Sequence, residues 1–166
     1  LYGGSELDTE WMGNHIQLLQ ETDYPWDGAV SITLKEVPEK KPLSLFLRVP
    51  EWCTKATLAV NDVPVTTDLK AGTYAEIKRI WKKGDRVAFV MGMEPVLLES
   101  HPLVEETRNQ VAVKRGPVVY CLESMDVEAG KRIDDILIPA SNELIVEADT
   151  VGQTITMRIP AGLLDL

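Results

Sequence analysis

Apolar and polar residues alternate along several segments of this chain, and no other feature of the sequence limits its fold as much. In the segment VSITLK, Val30, Ile32 and Leu34 would face one side of a strand, and the polar residues between them would face the other. The same period of two recurs in segments 43–49 and 154–159. This alternation predicts β-strands that bury one face and leave the other in water.

Two further segments, RVAFVM (86–91) and VVYCL (118–122), are apolar on both sides and predict strands in the middle of a sandwich. Turn-forming residues separate the strands, and Asn61-Asp62 predicts a tight hairpin because both residues tolerate a positive φ. The strongest helix candidate, 124–137, is interrupted by glycine and has little helical periodicity. About a dozen short strands therefore predict an all-β fold, an antiparallel, jelly-roll-like β-sandwich.

The chain has 166 residues, enough for two consecutive sandwich units. Strand patterning lapses within residues 93–110, which are charged and contain proline. We therefore expect a first domain over 1–97 and a second over 98–166.

The net charge of −9 makes nucleic acid a poor partner, because an acidic surface repels phosphate. No apolar stretch reaches the roughly 18–20 residues that span a bilayer, so we expect no membrane partner. The first residues have neither a basic region nor an apolar region, and no initiator Met, so we expect a processed chain or a piece of a longer protein. Localisation stays open between bacterial cytoplasm and periplasm.

No pair of acidic residues is spaced as the two carboxylates of a glycosidase would require. The candidates are Asp23 with Asp27, Glu105 with Glu106, and Asp134 with Asp135. Adjacent acids on a strand point to opposite faces, and acids on a loop are usually solvated. We therefore predict no catalytic residue among them.

The two histidines and two cysteines show no metal-ligand spacing, so we predict no metal site. Cys53 and Cys121 are expected to be buried free thiols in strands, with a disulfide between them as the other option. A phosphate-binding glycine loop is also absent from the sequence.

Tyr24, Trp26 and Trp52 are the only candidates for substrate binding, because flat aromatic faces suit sugar rings. Trp81 is a fourth aromatic residue that could belong to such a platform. The other interpretation is that these rings pack in the core, at the rim of the sandwich or at a domain interface, and that interpretation is favoured. Pro25 is expected to push Tyr24 toward extended geometry, and Gly28 to permit a sharp entry into the next strand.

Five segments in a fixed order carry a family resemblance: LYGGSE, QETDYPWDGAVSITL, LFLRVPEWCTKATLAVND, GTYAEIKRIWKKGDRVAFVMGMEPVLLESHP and VAVKRGPVVYCLE. Over residues 1 to about 123 the chain resembles the C-terminal part of glycoside hydrolase family 127, the β-L-arabinofuranosidases, formerly domain of unknown function 1680. The resemblance implies an (α/α)6-barrel catalytic domain followed by β-sandwich domains, so residues 1–12 are expected to be a connector from the barrel. The family's sequences usually run on past the equivalent of ITMRIPAGLLDL, so the second domain is expected to be short of a strand. The resemblance also implies retaining chemistry by a zinc-held cysteine nucleophile and a glutamate acid/base.

Those groups belong to the barrel, where a Cys-Cys-Pro motif precedes the LYxGSE segment. Cys53 and Cys121 match the family's sandwich cysteines, so the resemblance implies no catalytic residue and no cofactor in this chain, with zinc in the missing domain. It implies the chain's own barrel as partner, a plant-type glycan as substrate of the parent, and a second copy in a homodimer.

We therefore expect a non-catalytic accessory region that packs on the barrel. The alternatives are a stand-alone carbohydrate-binding module and, less favoured, a protein-interaction sandwich.

Overall fold

The computed structural model describes residues 2–38, 40–127, 129–139, 145–149, 154–159 and 161–163. Within these ranges the chain consists of β-strands and short 3₁₀ turns and has no α-helix, which confirms the all-β prediction. No helix there is long and apolar enough to cross a bilayer. The chain divides into two compact units, Leu1–Met93 and Glu94–Leu166.

The first unit is built from antiparallel strands in two sheets. Its strands are β1 (Ser5–Trp11), β2 (Asn14–Thr22), β3 (Ala29–Glu36), β4 (Pro42–Arg48), β5 (Ala56–Val60), β6 (Val63–Pro64), β7 (Tyr74–Ile80) and β8 (Arg86–Met91). One sheet has the order β1-β2-β3-β8-β5-β6, and the other consists of β4 and β7.

The core of the first unit lies between these two sheets, as the alternation predicts. Val30, Ile32 and Leu34 of β3 are all buried. The paired strands β4 and β7 contribute Leu47 and Ile77 from the other side. A single buried cluster joins these side chains, so the first unit is an antiparallel β-sandwich.

Two sequence predictions about the first unit concern short segments. Asn61 and Asp62 have φ values of 51° and 63° between the paired residues Val60 and Val63, which confirms the tight hairpin. Residues 1–12 contain more than a connector, because β1 pairs along its length with β2. Every residue of β1 is exposed, so no apolar face marks it in the sequence.

The second unit contains short strands in small sheets. They are β9 (Pro95–Glu99), β10 (Val111–Arg115), β11 (Val118–Tyr120), β12 (Ile136–Leu137), β13 (Ile145–Asp149), β14 (Thr154–Arg158) and β15 (Gly162–Leu163). The sheet orders are β11-β10-β9, β12-β15 and β13-β14. Three 3₁₀ turns, Glu105–Thr107, Ser124–Asp126 and Ile133–Asp135, occupy the connections. The alternation in 154–159 correctly predicts β14.

Strand β9 lies inside segment 93–110, where strand patterning lapses in the sequence, and it pairs with β10. The contacts therefore divide the chain after Met93, whereas the predicted division falls after residue 97. The prediction of a central strand at 118–122 is wrong, because β11 is at the edge of its sheet and Val119 is 60% exposed. An apolar run alone does not distinguish an edge strand from a central one.

Candidate functional site

Four rings of the first unit form an aromatic cluster: Tyr2, Tyr24, Trp52 and Phe89. The ring centroids of Tyr24 and Trp52 are 6.4 Å apart with an interplanar angle of 20°, a stacked pair. Tyr2 lies 6.1 Å from Tyr24 and 5.9 Å from Phe89. Phe89 is fully buried in the core, and the other three rings pack against that core.

Burial keeps the two phenols of this cluster, Tyr2 and Tyr24, neutral. The hydroxyl of Tyr2 donates to the backbone carbonyl of Arg48 at 2.8 Å. Burial raises the pKa of Tyr2 to about 12. Burial also raises the pKa of Tyr24 above its ordinary value. Neither phenol is therefore suited to proton transfer near neutral pH.

The structure brings two of the three predicted sugar-binding residues together. Tyr24 and Trp52 stack in the aromatic cluster, and both are half-buried. Trp26 lies in the turn that follows Tyr24 and is 41% exposed. Sugar contact by these residues stays a prediction, while the packing of Tyr24 and Trp52 on the core agrees with the favoured interpretation.

The loop 22–28 carries Tyr24 and Trp26, and hydrogen bonds from its own polar groups hold it in place. The backbone N–H of Trp26 donates to the carbonyl of Asp23 at 2.9 Å. The Asp27 carboxylate accepts a hydrogen bond from the N–H of Ala29, as expected for an acid in a turn. The peptide bond between Tyr24 and Pro25 is cis. Asp23 and Asp27 thus shape a turn.

The two cysteines are both free, but they differ from the prediction in position. Cys53 is buried in a turn after β4, and its thiol donates to the carbonyl of Lys55 at 3.2 Å. Burial raises the pKa of Cys53, which disfavours the thiolate. Cys121 is exposed and follows the edge strand β11, so the prediction of a buried strand thiol is wrong for it.

Acidic and imidazole groups do not converge on a site within the described ranges. No group of three or more His, Cys, Asp or Glu side chains there could hold a metal ion. The Nε2–H of His15 donates to the carboxylate of Asp8 at 2.7 Å on the exposed face of β1 and β2, and this bond raises the pKa of His15. Asp134 pairs with Arg132 at 2.8 Å on the surface.

A cleft of about 360 Å³ in the second unit is lined mainly by residues between β9 and β10. Its polar groups bond to one another. The Thr107 hydroxyl donates to Ser100 at 2.6 Å, and the His101 ring accepts from the N–H of Leu103 at 3.3 Å. Both hydrogen bonds lie within the segment between β9 and β10.

Sequence reasoning missed a second aromatic surface, on the solvent side of the sheet formed by β4 and β7. We call it the β4–β7 outer face, and it comprises Ser44, Phe46, Arg48, Tyr74, Glu76 and Lys78. Phe46 is 60% exposed and Tyr74 is 64% exposed. The available signal was Phe46, an aromatic residue at an outward position of the alternating segment 43–49.

Family models match both units of the chain. The model described as the GH127 middle domain of β-L-arabinofuranosidase matches residues 1–93, and the glycoside hydrolase family 127 C-terminal domain matches residues 95–160. The first match ends where the first compact unit ends.

Similar proteins include two β-L-arabinofuranosidases and a glycoside hydrolase. A non-reducing end β-L-arabinofuranosidase of Bifidobacterium longum subsp. longum is 29% identical over 93% of this chain and 24% of its own length. A GH127 β-L-arabinofuranosidase from Geobacillus stearothermophilus T6 is 34% identical, with a TM-score of 0.82, over 95% of this chain and 24% of its own. A structure described as a glycoside hydrolase is 55% identical, with a TM-score of 0.85, over 95% of this chain and 26% of its own.

The chain thus spans about a quarter of the length of each of these relatives. Together the two family models cover more than nine-tenths of it, from residue 1 to residue 160. The chain belongs to glycoside hydrolase family 127, in which it corresponds to the middle and C-terminal domains.

Proposed function

We propose that this chain is the non-catalytic accessory β-sandwich region of a longer β-L-arabinofuranosidase-like glycoside hydrolase, and that it packs on and braces a separate catalytic barrel. The observation that carries the proposal is the pair of family matches, which assign the chain to the middle and C-terminal domains. In the proposed parent, the nucleophilic cysteine, its zinc and the acid/base glutamate lie on the barrel.

The chain's own chemistry supports the non-catalytic role. Cys53 is 1% exposed, and its thiol is bound to a backbone carbonyl, whereas a nucleophilic cysteine needs access and a lowered pKa. Cys121 is exposed, and no cluster of His, Cys, Asp or Glu that could hold a metal occurs in the described part of the chain.

The β1–β2 hairpin is the surface that we propose to contact the barrel. Leu7, Trp11 and Met12 are 49%, 40% and 78% exposed, and they lie on the edge strand or at the hairpin tip. Exposed apolar side chains on an edge strand favour association with a partner. About three quarters of each relative's length lies outside the match, and this unmatched part is large enough to be the partner of this surface.

The test of the non-catalytic role is hydrolysis of an aryl β-L-arabinofuranoside by the isolated chain with added zinc. We expect no turnover above the uncatalysed rate. Cys53→Ala and Cys121→Ala serve as matched variants, since turnover that either substitution abolishes would contradict the proposal.

The test of the docking surface compares two proteins. In the parent polypeptide that includes the barrel, Trp11→Ser with Met12→Ser should lower the Tm by several degrees. In the isolated chain the same double substitution should leave the Tm nearly unchanged, because both side chains are exposed there. Equal effects in both proteins would remove the hairpin from the interface.

A further inference from the structure

The β4–β7 outer face has a composition that separates it from an ordinary solvated sheet surface. Cross-strand pairing places Ser44 opposite Lys78, Phe46 opposite Glu76, and Arg48 opposite Tyr74. Phe46 and Tyr74 are therefore diagonal neighbours, about 7–8 Å apart across the two strands. The face therefore carries two exposed rings on neighbouring strands, with the polar residues Ser44, Arg48 and Glu76 on the same face.

Interactions within the face hold its polar groups in place. The guanidinium of Arg48 donates to the carbonyls of Val49 and Thr73, each at 3.0 Å. It also lies 5.4 Å from the ring centroid of Tyr74, a cation–π contact that fixes one side of the ring. A group that is already ordered loses less conformational entropy when a ligand binds.

The carboxylate beside Phe46 is ordered in a similar way. Glu76 accepts a hydrogen bond from the hydroxyl of Ser44 at 2.6 Å, and it lies directly opposite Phe46 in the register. A carboxylate accepts further hydrogen bonds through its remaining lone pairs. Each exposed ring thus has a fixed charged group next to it.

We propose that the β4–β7 outer face binds a neutral oligosaccharide. Ligand sites combine aromatic surface with a few placed polar groups, and a sugar ring offers a C–H face for the former and hydroxyls for the latter. Charges of both signs, Arg48 and Lys78 with Glu76, suit an uncharged polyol and repel part of any strongly charged partner. The choice of an arabinose-containing oligosaccharide as probe rests on the proposed function.

Isothermal titration of the full chain with short linear arabino-oligosaccharides tests this site, with xylo-oligosaccharides as a second neutral probe. We expect saturable binding that Tyr74→Ala weakens at least about tenfold. Phe46→Ala should weaken it similarly, and Tyr74→Phe should retain most of the affinity because the ring remains. Tyr74 is 64% exposed, so these variants should keep the wild-type Tm.

Ile80→Ala is the matched control, since Ile80 is 54% exposed on the same strand and the same face but lies opposite Pro42, away from the two rings. It should bind as the wild type does. Three outcomes would overturn the proposal: no saturable binding of either probe, wild-type affinity in both ring variants, or self-association of the chain that the ring variants abolish. The hydrolysis assay measures turnover and the titration measures binding. A failure of the proposed function can therefore be distinguished from a failure of this binding site.

Discussion

Gly28, in the loop before β3, is a position where the close backbone of Met91 leaves room only for glycine. Gly28 is predicted to permit a sharp entry into β3, but it is not among the positive-φ glycines. A Cβ at this position would overlap the backbone carbonyl oxygen of Met91. The N–H of Met91 donates to the carbonyl of Gly28 at 2.9 Å, so the two backbones are held in close approach.

We predict that Gly28→Ala lowers the free energy of unfolding by about 2–3 kcal/mol, because the obstructing atom is backbone and cannot rotate away. Urea unfolding followed by far-UV circular dichroism measures the change. Gly4→Ala is the matched control, since an added Cβ there meets nothing within 4 Å. The control should change stability by at most about 0.5 kcal/mol. Equal stability of the two variants would show that β8 shifts without cost.

At the scale of elements, Asp85 and Asn61 tie two turns of the first unit together. Asp85 is buried in the turn before β8, and its carboxylate accepts from the Asn61 side chain at 2.8 Å and from the N–H of Lys82 at 2.9 Å. The side-chain oxygen of Asn61, Oδ1, accepts a hydrogen bond from the backbone N–H of Arg86 at 2.8 Å. Together these bonds join the β5–β6 hairpin to the start of β8.

This network makes stability depend on pH. Burial alone would raise the pKa of Asp85, but hydrogen bonds from Asn61 and Lys82, with the charges of Arg79 and Lys82, hold it below its ordinary value. A carboxyl whose pKa is lowered by folding stabilises the fold above its unfolded pKa. That stabilisation is lost as the pH falls through the folded pKa.

We predict that Asp85→Asn costs about 1–2 kcal/mol at pH 7, because one oxygen that accepts from a backbone N–H is replaced by a donor. The difference from the wild type should begin to shrink below about pH 4, where the carboxyl of the unfolded chain becomes protonated, and should keep shrinking as the pH falls toward the lower pKa of the folded state. Urea unfolding of both proteins at pH 7 and pH 3 provides the comparison. A difference that stays constant or grows on acidification would contradict this assignment.

The strands that the sequence predicted are those with one buried face. Alternation identified β3 and β4 because their inward side chains pack in the core. It missed β1, whose residues are all exposed, and it misplaced β11, whose apolar residues lie at a sheet edge. Period-two patterns report burial, so a strand held only by backbone pairing leaves no such pattern.

The aromatic sites could be predicted only in part for a related reason. Tyr24 and Trp52 are two of the three predicted sugar-binding candidates, but their stacking depends on long-range packing with Tyr2 and Phe89. Tyr74 is exposed because of the register in which β7 pairs with β4, and this register cannot be predicted from residue types alone. The family resemblance supplied the accessory role, which the family matches support.

At the scale of the whole molecule, the core of the first unit is complete within that unit. Every residue of the buried cluster lies between Val30 and Met91, and the first compact unit ends at Met93. Trp81 and Leu34, 2% and 0% exposed, are among its largest buried side chains. About 90 residues with a closed core are enough for an independent domain.

We predict that residues 1–93 fold when produced alone. All four tryptophans of the chain lie in this segment, so its near-UV circular dichroism should reproduce most of the signal of the full chain. Unfolding should be cooperative, and Leu34→Ala should lower the stability of the fragment by about 2–5 kcal/mol, as it should in the full chain. A fragment without a near-UV signal or a cooperative transition would mean that the first sandwich requires residues 94–166 to fold, and that the two units are one folding domain.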